Sequence, residues 1–331
     1  MGHISNERRF NSPPPLRSSM EEFLPSRFHR GEDRNVVICS DGIIQIIDAE
    51  GRAKSIFRLQ DYPIHSSSAS GEFVIVSSTD YGSQAGSHIG IIDVAATEEE
   101  LSTARKNDGL RGDPVDLALA WQRDLEGTIE ALESHEDNII FSLKGLGVYS
   151  MRINKDSEGI SVDENWRASY PKWSRKVGAG LIDGIASITT NEGFAQIISE
   201  GGEWLMLSLG EGALSRRGFL QISDPVYRAA PLGTRGTLVM TRGSRAMLVD
   251  NEFNVLYDFK KLPGPVLDAL CTEDELRWTG WRHDGAFSFG SSKLETFPRR
   301  EIGLGVLVSG LCLCNDGELS EWGYSPGSSV V

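Results

Sequence analysis

The feature that most restricts the fold of this chain is a β-hairpin that recurs along it. Val36-Val37-Ile38-Cys39-Ser40 and Ile43-Ile44-Gln45-Ile46-Ile47 are short β-branched runs either side of Asp41-Gly42. Asp-Gly supplies the positive φ angles that a two-residue hairpin turn requires. Further copies read at Glu72 to Val94, Asn138 to Ile153, Gly193 to Leu209, Gly236 to Asp250, Glu275 to Phe289 and Leu311 to Trp322, which makes seven. Their turns include Gly201-Gly202, Arg242-Gly243, Asp284-Gly285 and Asp316-Gly317, residues that tolerate left-handed backbone far better than β-branched ones. The hairpins start 36 to 66 residues apart, a drift around the 40–50 residues of propeller repeats, with insertions in the long gaps.

A further strand follows several hairpins, at Ala53 to Leu59, Leu214 to Ile222 and Asn254 to Phe259. Four strands per unit is a propeller blade. The expected fold is therefore all-β, a β-propeller of about seven four-stranded blades with one short helical insertion. It would form a single domain over residues 21–325, between a disordered N-terminal tail (1–20) and a flexible C-terminal tail (326–331). The helix is expected from Thr97 to Lys106, where Thr97 and Glu100 read as a capping box and Asp108-Gly109 and Asp113-Pro114 as a stop. Tyr324 to Val331 is rich in Pro, Gly and Ser, so the outer strand of the last blade is expected from Phe23 to Phe28, clasping the ring through both chain ends.

Two stretches carry a family resemblance. Ser40-Asp41-Gly42-Ile43-Ile44-Gln45-Ile46-Ile47-Asp48 is similar to the hairpin of WD repeats, and Ile47-Asp48-Ala49-Glu50-Gly51-Arg52, continuing to Ile56-Phe57, resembles the turn between the third and fourth strands of quinoprotein-like (PQQ-like) repeats. A weaker echo runs from Val249 to Tyr257. No unit ends in Trp-Asp or begins with the Gly-His of a WD repeat. The resemblance therefore implies the propeller superfamily with divergent repeats, and no narrower group.

Composition bounds the function. The chain carries 47 acidic and 33 basic side chains, a net charge of −14, so its average field repels polyanions and acidic membrane surfaces. Direct nucleic-acid binding and membrane binding are not expected. Cys39, Cys271, Cys312 and Cys314 are too few and too irregularly spaced for a disulfide framework. With an N-terminus lacking an apolar signal core, they fit the cytoplasm.

No catalytic constellation is legible. His3, His29, His65, His88, His135 and His283 show no ligand or triad spacing, and G-x-S-x-G, H-E-x-x-H and a phosphate-binding loop do not occur. Cys312 and Cys314 alternate on one strand and share a face; buried packing is the expectation over a metal pair. A quinoprotein-like dehydrogenase would need calcium carboxylates, an export signal and a Trp-rich chain, which seven tryptophans do not supply. The expectation is no catalytic residue, no metal and no cofactor.

The remaining candidate is Trp166-Arg167-Ala168-Ser169-Tyr170-Pro171-Lys172-Trp173-Ser174-Arg175-Lys176, read as an extended inter-blade loop. Its aromatic and basic excess is the composition of a binding hot spot, and equally that of strand aromatics packed inward with solvated cations. The partner-binding candidates are Trp166, Arg167, Tyr170, Lys172, Trp173, Arg175 and Lys176. The sequence thus reads as a non-catalytic protein–protein interaction scaffold binding a protein through propeller loops. The alternative is a propeller enzyme or small-molecule binder using the central channel, for which Asp41, Asp80, Asp183 and Asp284 are available carboxylates.

Overall fold

The computed structural model describes residues 24–31, 34–39, 42–59, 63–80, 86–99, 115–174, 176–177, 181–191 and 193–323. Both expected tails, Asp41 and Arg175 therefore lie outside the described residues. Seven sheets form the blades of a propeller, and their innermost strands neighbour one another in cyclic order until the first meets the last. Each of the seven expected hairpins is the second and third strand of one blade, as Asn35–Cys39 with Ile43–Ile47 in blade one and Leu311–Cys314 with Leu319–Glu321 in blade seven. The outer strands Ala53–Leu59, Leu214–Phe219 and Val255–Lys260 follow as expected.

The hairpin of blade one reads as two almost unbroken apolar runs because both of its faces are buried. Successive side chains of a strand point to opposite faces, so Val36, Ile38, Ile44 and Ile46 pack against blade two while Val37, Cys39, Ile43 and Ile47 pack against blade seven. Fully burying each such aliphatic side chain contributes about 1.5–3 kcal/mol. Equivalent apolar layers fill the junctions of blades two and three, three and four, four and five, and five and six.

The junction of blades six and seven is polar instead. Asp284 takes both ends of the Arg299 guanidinium at 2.9 and 2.6 Å, and also accepts from Thr279 Oγ1 at 2.7 Å and Gly323 N at 2.8 Å. Arg299 Nη1 lies 3.2 Å from Cys314 Sγ, and Thr279 Oγ1 the same distance from Cys312 Sγ. Burial works against the Arg299 charge, but Asp284 and the neighbouring thiols outweigh it and hold the guanidinium protonated. Cys314, stabilised by Cys312, Ser320 and Arg299 against its burial, is lowered to about 7. The two cysteines do share a buried face, as expected, but one built around an ion pair.

Three expectations are corrected. Asp284-Gly285 is not a turn: it lies within the strand His283–Ser288, and the turn is Trp281-Arg282, with Arg282 at φ +57°. The helix starts before Thr97, spanning residues 94–99 within the described part, because Asp93 Oδ1 accepts from Ala96 N at 3.1 Å and so caps it; residues 101–106 lie outside the described residues. The segment after it returns as Val115–Leu117, pairing in parallel with the outer strand of blade one. The expected clasp is not an outer strand either.

Pro25–Arg30 pairs with Asn35–Cys39 as the innermost strand of blade one, and blade seven has three strands among the described residues. It still seals the ring. Phe28 packs with Leu307 and Leu313 of blade seven, while Arg30 donates to Val306 O at 3.0 and 2.7 Å and pairs with Asp268 of blade six at 2.5 Å.

The resemblance in the turns between third and fourth strands is structural. In blades one and five, Asp48 and Asp250 each accept two backbone N–H groups, from Glu50 and Arg52 and from Glu252 and Asn254. Gly51 at φ +81° and Phe253 at φ +65° fill the same left-handed position.

Candidate functional site

The aromatic-basic stretch lies where blade three meets blade four. Trp166 is the one fully buried residue of the outer strand Gly159–Ser169, and its indole donates to Leu209 O at 2.6 Å. Its ring covers Gly212, whose φ of +67° suits glycine and where a Cβ would sit 2.5 Å from the ring. Tyr170 donates to Glu130 Oε2 at 2.6 Å, and burial followed by that carboxylate pushes its hydroxyl up from its ordinary value. Trp173 joins the same apolar layer with Leu205 and Leu209, and Ser174 is held by Glu203 through N and Oγ at 2.6 and 2.5 Å.

The three aromatic rings thus form a fixed wall, and the cations stand outside it. Arg167 lies 5.1 Å from the centre of the Tyr149 ring and 3.2 Å from Glu164, and both Arg167 and Lys172 are exposed. Lys176 belongs to a two-stranded ribbon, Lys176–Val177 with Leu181–Ile182. The segment is therefore strand, packed linker and ribbon rather than one extended loop.

Leu146 is a neighbour that the sequence reading missed. It ends the turn before Gly147, which pairs with Ser169, and is 53% exposed. An apolar residue between two glycines in Lys144-Gly145-Leu146-Gly147 was the available signal.

The second site is the central channel, a cavity of about 1440 Å³ lined by the innermost strands. In six of the seven innermost strands the ladder slips by one residue near its start, and the residue after the slip is Arg27, Ala131, Ser187, Arg228, Asp268 or Gly305. A bulge re-aims a side chain, and here the same device places unlike residues at one level of the ring.

Asp268 at this level is consumed by Arg30 and by Val306 N at 2.9 Å. Arg228 donates to Leu267 O at 3.1 Å and Arg27 to His65 O. His29, on the strand of Arg27, contacts Ser67 Oγ at 2.7 Å. Burial, then Arg228 and Arg27, lower it to about 3, so it is a neutral imidazole. Glu133 accepts from Ser68 and Ser134 N at 3.3 Å, and burial raises it to about 7.

Of the carboxylates available for a channel site, Asp183 and Asp284 do not line it. Asp183 is buried and accepts from Gly201 N at 2.9 and 3.0 Å, holding a turn, and Asp284 is the buried partner of Arg299. Asp41 and the side chain of Asp80 lie outside the described residues. Among the described residues, no group of three or more His, Cys, Asp and Glu side chains could hold a metal ion, and no helix is long and apolar enough to cross a membrane.

No family model matches the chain, and no curated protein sequence matches it. Solved structures do. The β-propeller domain of Cps50 (Swd1) from Myceliophteria thermophila superposes with a TM-score of 0.62 at 11% identity, covering 95% of this chain and 99% of that one. BamB from Moraxella catarrhalis gives 0.55 at 10% identity, covering 88% and 82%. The computationally designed Ika8 protein gives 0.57 at 8% identity, covering 91% and 96%. At such identities the likeness is one of fold, and the chain is a β-propeller.

Proposed function

We propose that this propeller is a non-catalytic protein–protein interaction scaffold of the cytoplasm, binding its partner through loops at the rim of blade three. The observation that carries this reading is an exposed rim on blade three, Leu146 in the turn before Gly147 and Lys172 in the linker after the outer strand, beside the packed rings of Trp166, Tyr170 and Trp173. A rigid mount lowers the ordering cost of binding, and an apolar anchor ringed by polar groups is the usual anatomy of an interface. In a chain of net charge −14 an exposed lysine beside an exposed leucine favours a partner presenting a carboxylate next to an apolar side chain.

The test is affinity purification from the native host with the wild type and with Leu146→Asp/Lys172→Glu, both residues being exposed and the fold expected to survive. The proposal expects the main co-purifying protein to fall at least tenfold, about 1.4 kcal/mol or more, at an unchanged melting temperature. Undiminished capture by the double variant would contradict it.

A further inference from the structure

The channel holds two guanidinium groups that form no ion pair among the described residues. Arg27 and Arg228 sit at equivalent positions of blades one and five, aimed inward by equivalent bulges. Neither has a carboxylate within 4 Å among the described residues, although nearly every other buried or half-buried cation in the protein does: Arg30 has Asp268, Arg245 has Asp258 and Arg299 has Asp284. Glu133, which also lines the channel, is tied to Ser68 and Ser134 N, and its burial outweighs the pull of Arg228, so that it retains its proton up to about pH 7.

Two like charges facing one confined space cost free energy unless a counter-charge joins them. That cost is visible at Arg27, which burial and then the Arg228 charge lower from its ordinary value. In a protein with 47 acidic side chains, the one carboxylate at their level among the described residues, Asp268, is taken by Arg30 and Val306 N, and Ala131 and Ser187 at the same level carry no charge.

We infer that Arg27 and Arg228 form a binding site for a dianionic phosphate group in the central channel. Each guanidinium donates one hydrogen bond to a backbone carbonyl, which leaves donors of its five for a ligand. The planar fork of Arg suits phosphate oxygens. Neutral His29 and the Ser67 hydroxyl beside it add polar contacts without negative charge. The cavity, at about 1440 Å³, has room for more than a free anion, so the phosphate is either inorganic or the head of a phosphorylated small molecule. This site is independent of the partner surface on blade three, and either reading can fail without the other.

The experiment is calorimetric titration of the full chain with inorganic phosphate and, separately, with glucose 6-phosphate, at about 0.15 M chloride to screen surface charge. One site per chain with a Kd below about 1 mM is expected for at least one probe. Tighter binding of inorganic phosphate assigns the free anion, and tighter binding of the sugar phosphate assigns a phosphorylated metabolite. Arg27→Gln and Arg228→Gln should each weaken binding tenfold or more, and Arg228→Lys should fall between the glutamine variant and the wild type. Arg242→Gln, an exposed turn cation paired with Glu200, should bind as the wild type. Because ligand binding stabilises the folded state, phosphate should raise the wild-type melting temperature over chloride of equal ionic strength, which reports binding even where a variant folds poorly. Absence of binding tighter than about 1 mM by both probes would overturn the inference, as would wild-type affinity in folded Arg27→Gln and Arg228→Gln.

Discussion

Glu133→Gln should stabilise the protein, and more so at high pH. In the folded protein Glu133 holds its proton up to about 7, whereas its ordinary value is 4.5. Between those values the folded state binds more protons than the unfolded chain, so this group lowers stability as pH rises and its full cost applies above pH 7. That cost is at most about 3 kcal/mol at pH 8 and under about 1 kcal/mol at pH 5. Since the channel is open to solvent, which screens part of the penalty, the expected gain for Glu133→Gln is about 2 kcal/mol greater at pH 8 than at pH 5. His29 has the opposite sign. It stays neutral down to about 3 against an ordinary 6.5, so it lowers stability as pH falls below 6.5. The two slopes offset each other between pH 4.5 and 6.5, and removing Glu133 alone should expose the His29 slope. Urea unfolding of both proteins at pH 5, 6.5 and 8 in phosphate-free buffer measures this. A stability difference between them that does not change with pH would refute the reasoning.

Three further outcomes follow from the packing. Asp284→Ala strands the buried Arg299 charge and should cost about 3–5 kcal/mol by urea unfolding; a loss under about 1 kcal/mol would mean that the ion pair does not hold blades six and seven. Gly212→Ala places a Cβ 2.5 Å from the Trp166 ring at φ +67° and should cost more than about 1 kcal/mol, seen as a lowered melting temperature that an unchanged one would contradict. Deleting residues 1–19 should leave melting nearly unchanged, because ring closure begins with Phe28 and Arg30. Deleting through Arg30 removes the inner strand of blade one and should give aggregating protein; equal melting of the two truncations would show that the seam closes otherwise.

The parts of this fold that could be read in the sequence are those whose physics is local and two-sided. The second and third strands of blade one are buried on both faces, so Val36 to Ile47 stands out as a paired apolar run, and its counterparts carry the same pattern in weaker form. Innermost strands carry no such signal: Ser66–Ser70 is Ser-Ser-Ser-Ala-Ser and Gly303–Val306 is small, since one side faces the channel. The channel site was therefore invisible, Arg27 and Arg228 being distant in the chain and aligned only by bulges. Phe23 to Phe28 reads as a strand of the last blade, whereas the strand Pro25–Arg30 belongs to blade one. Phe28 and Arg30 do contact blades six and seven, and nothing local distinguishes pairing with a blade from packing against it. In the aromatic-basic stretch, Trp166 was the buried residue of an otherwise half-exposed outer strand, and composition alone does not say which way an indole points.

The most direct test of the proposed interaction surface is hydrogen–deuterium exchange of the purified protein with and without the partner captured from its host. Added protection concentrated at residues 144–147 and 167–174 is the predicted result, with blades five to seven unchanged. Protection confined to another part of the ring, with exchange at these two segments unaltered, would contradict the assignment of the blade-three rim as the binding surface.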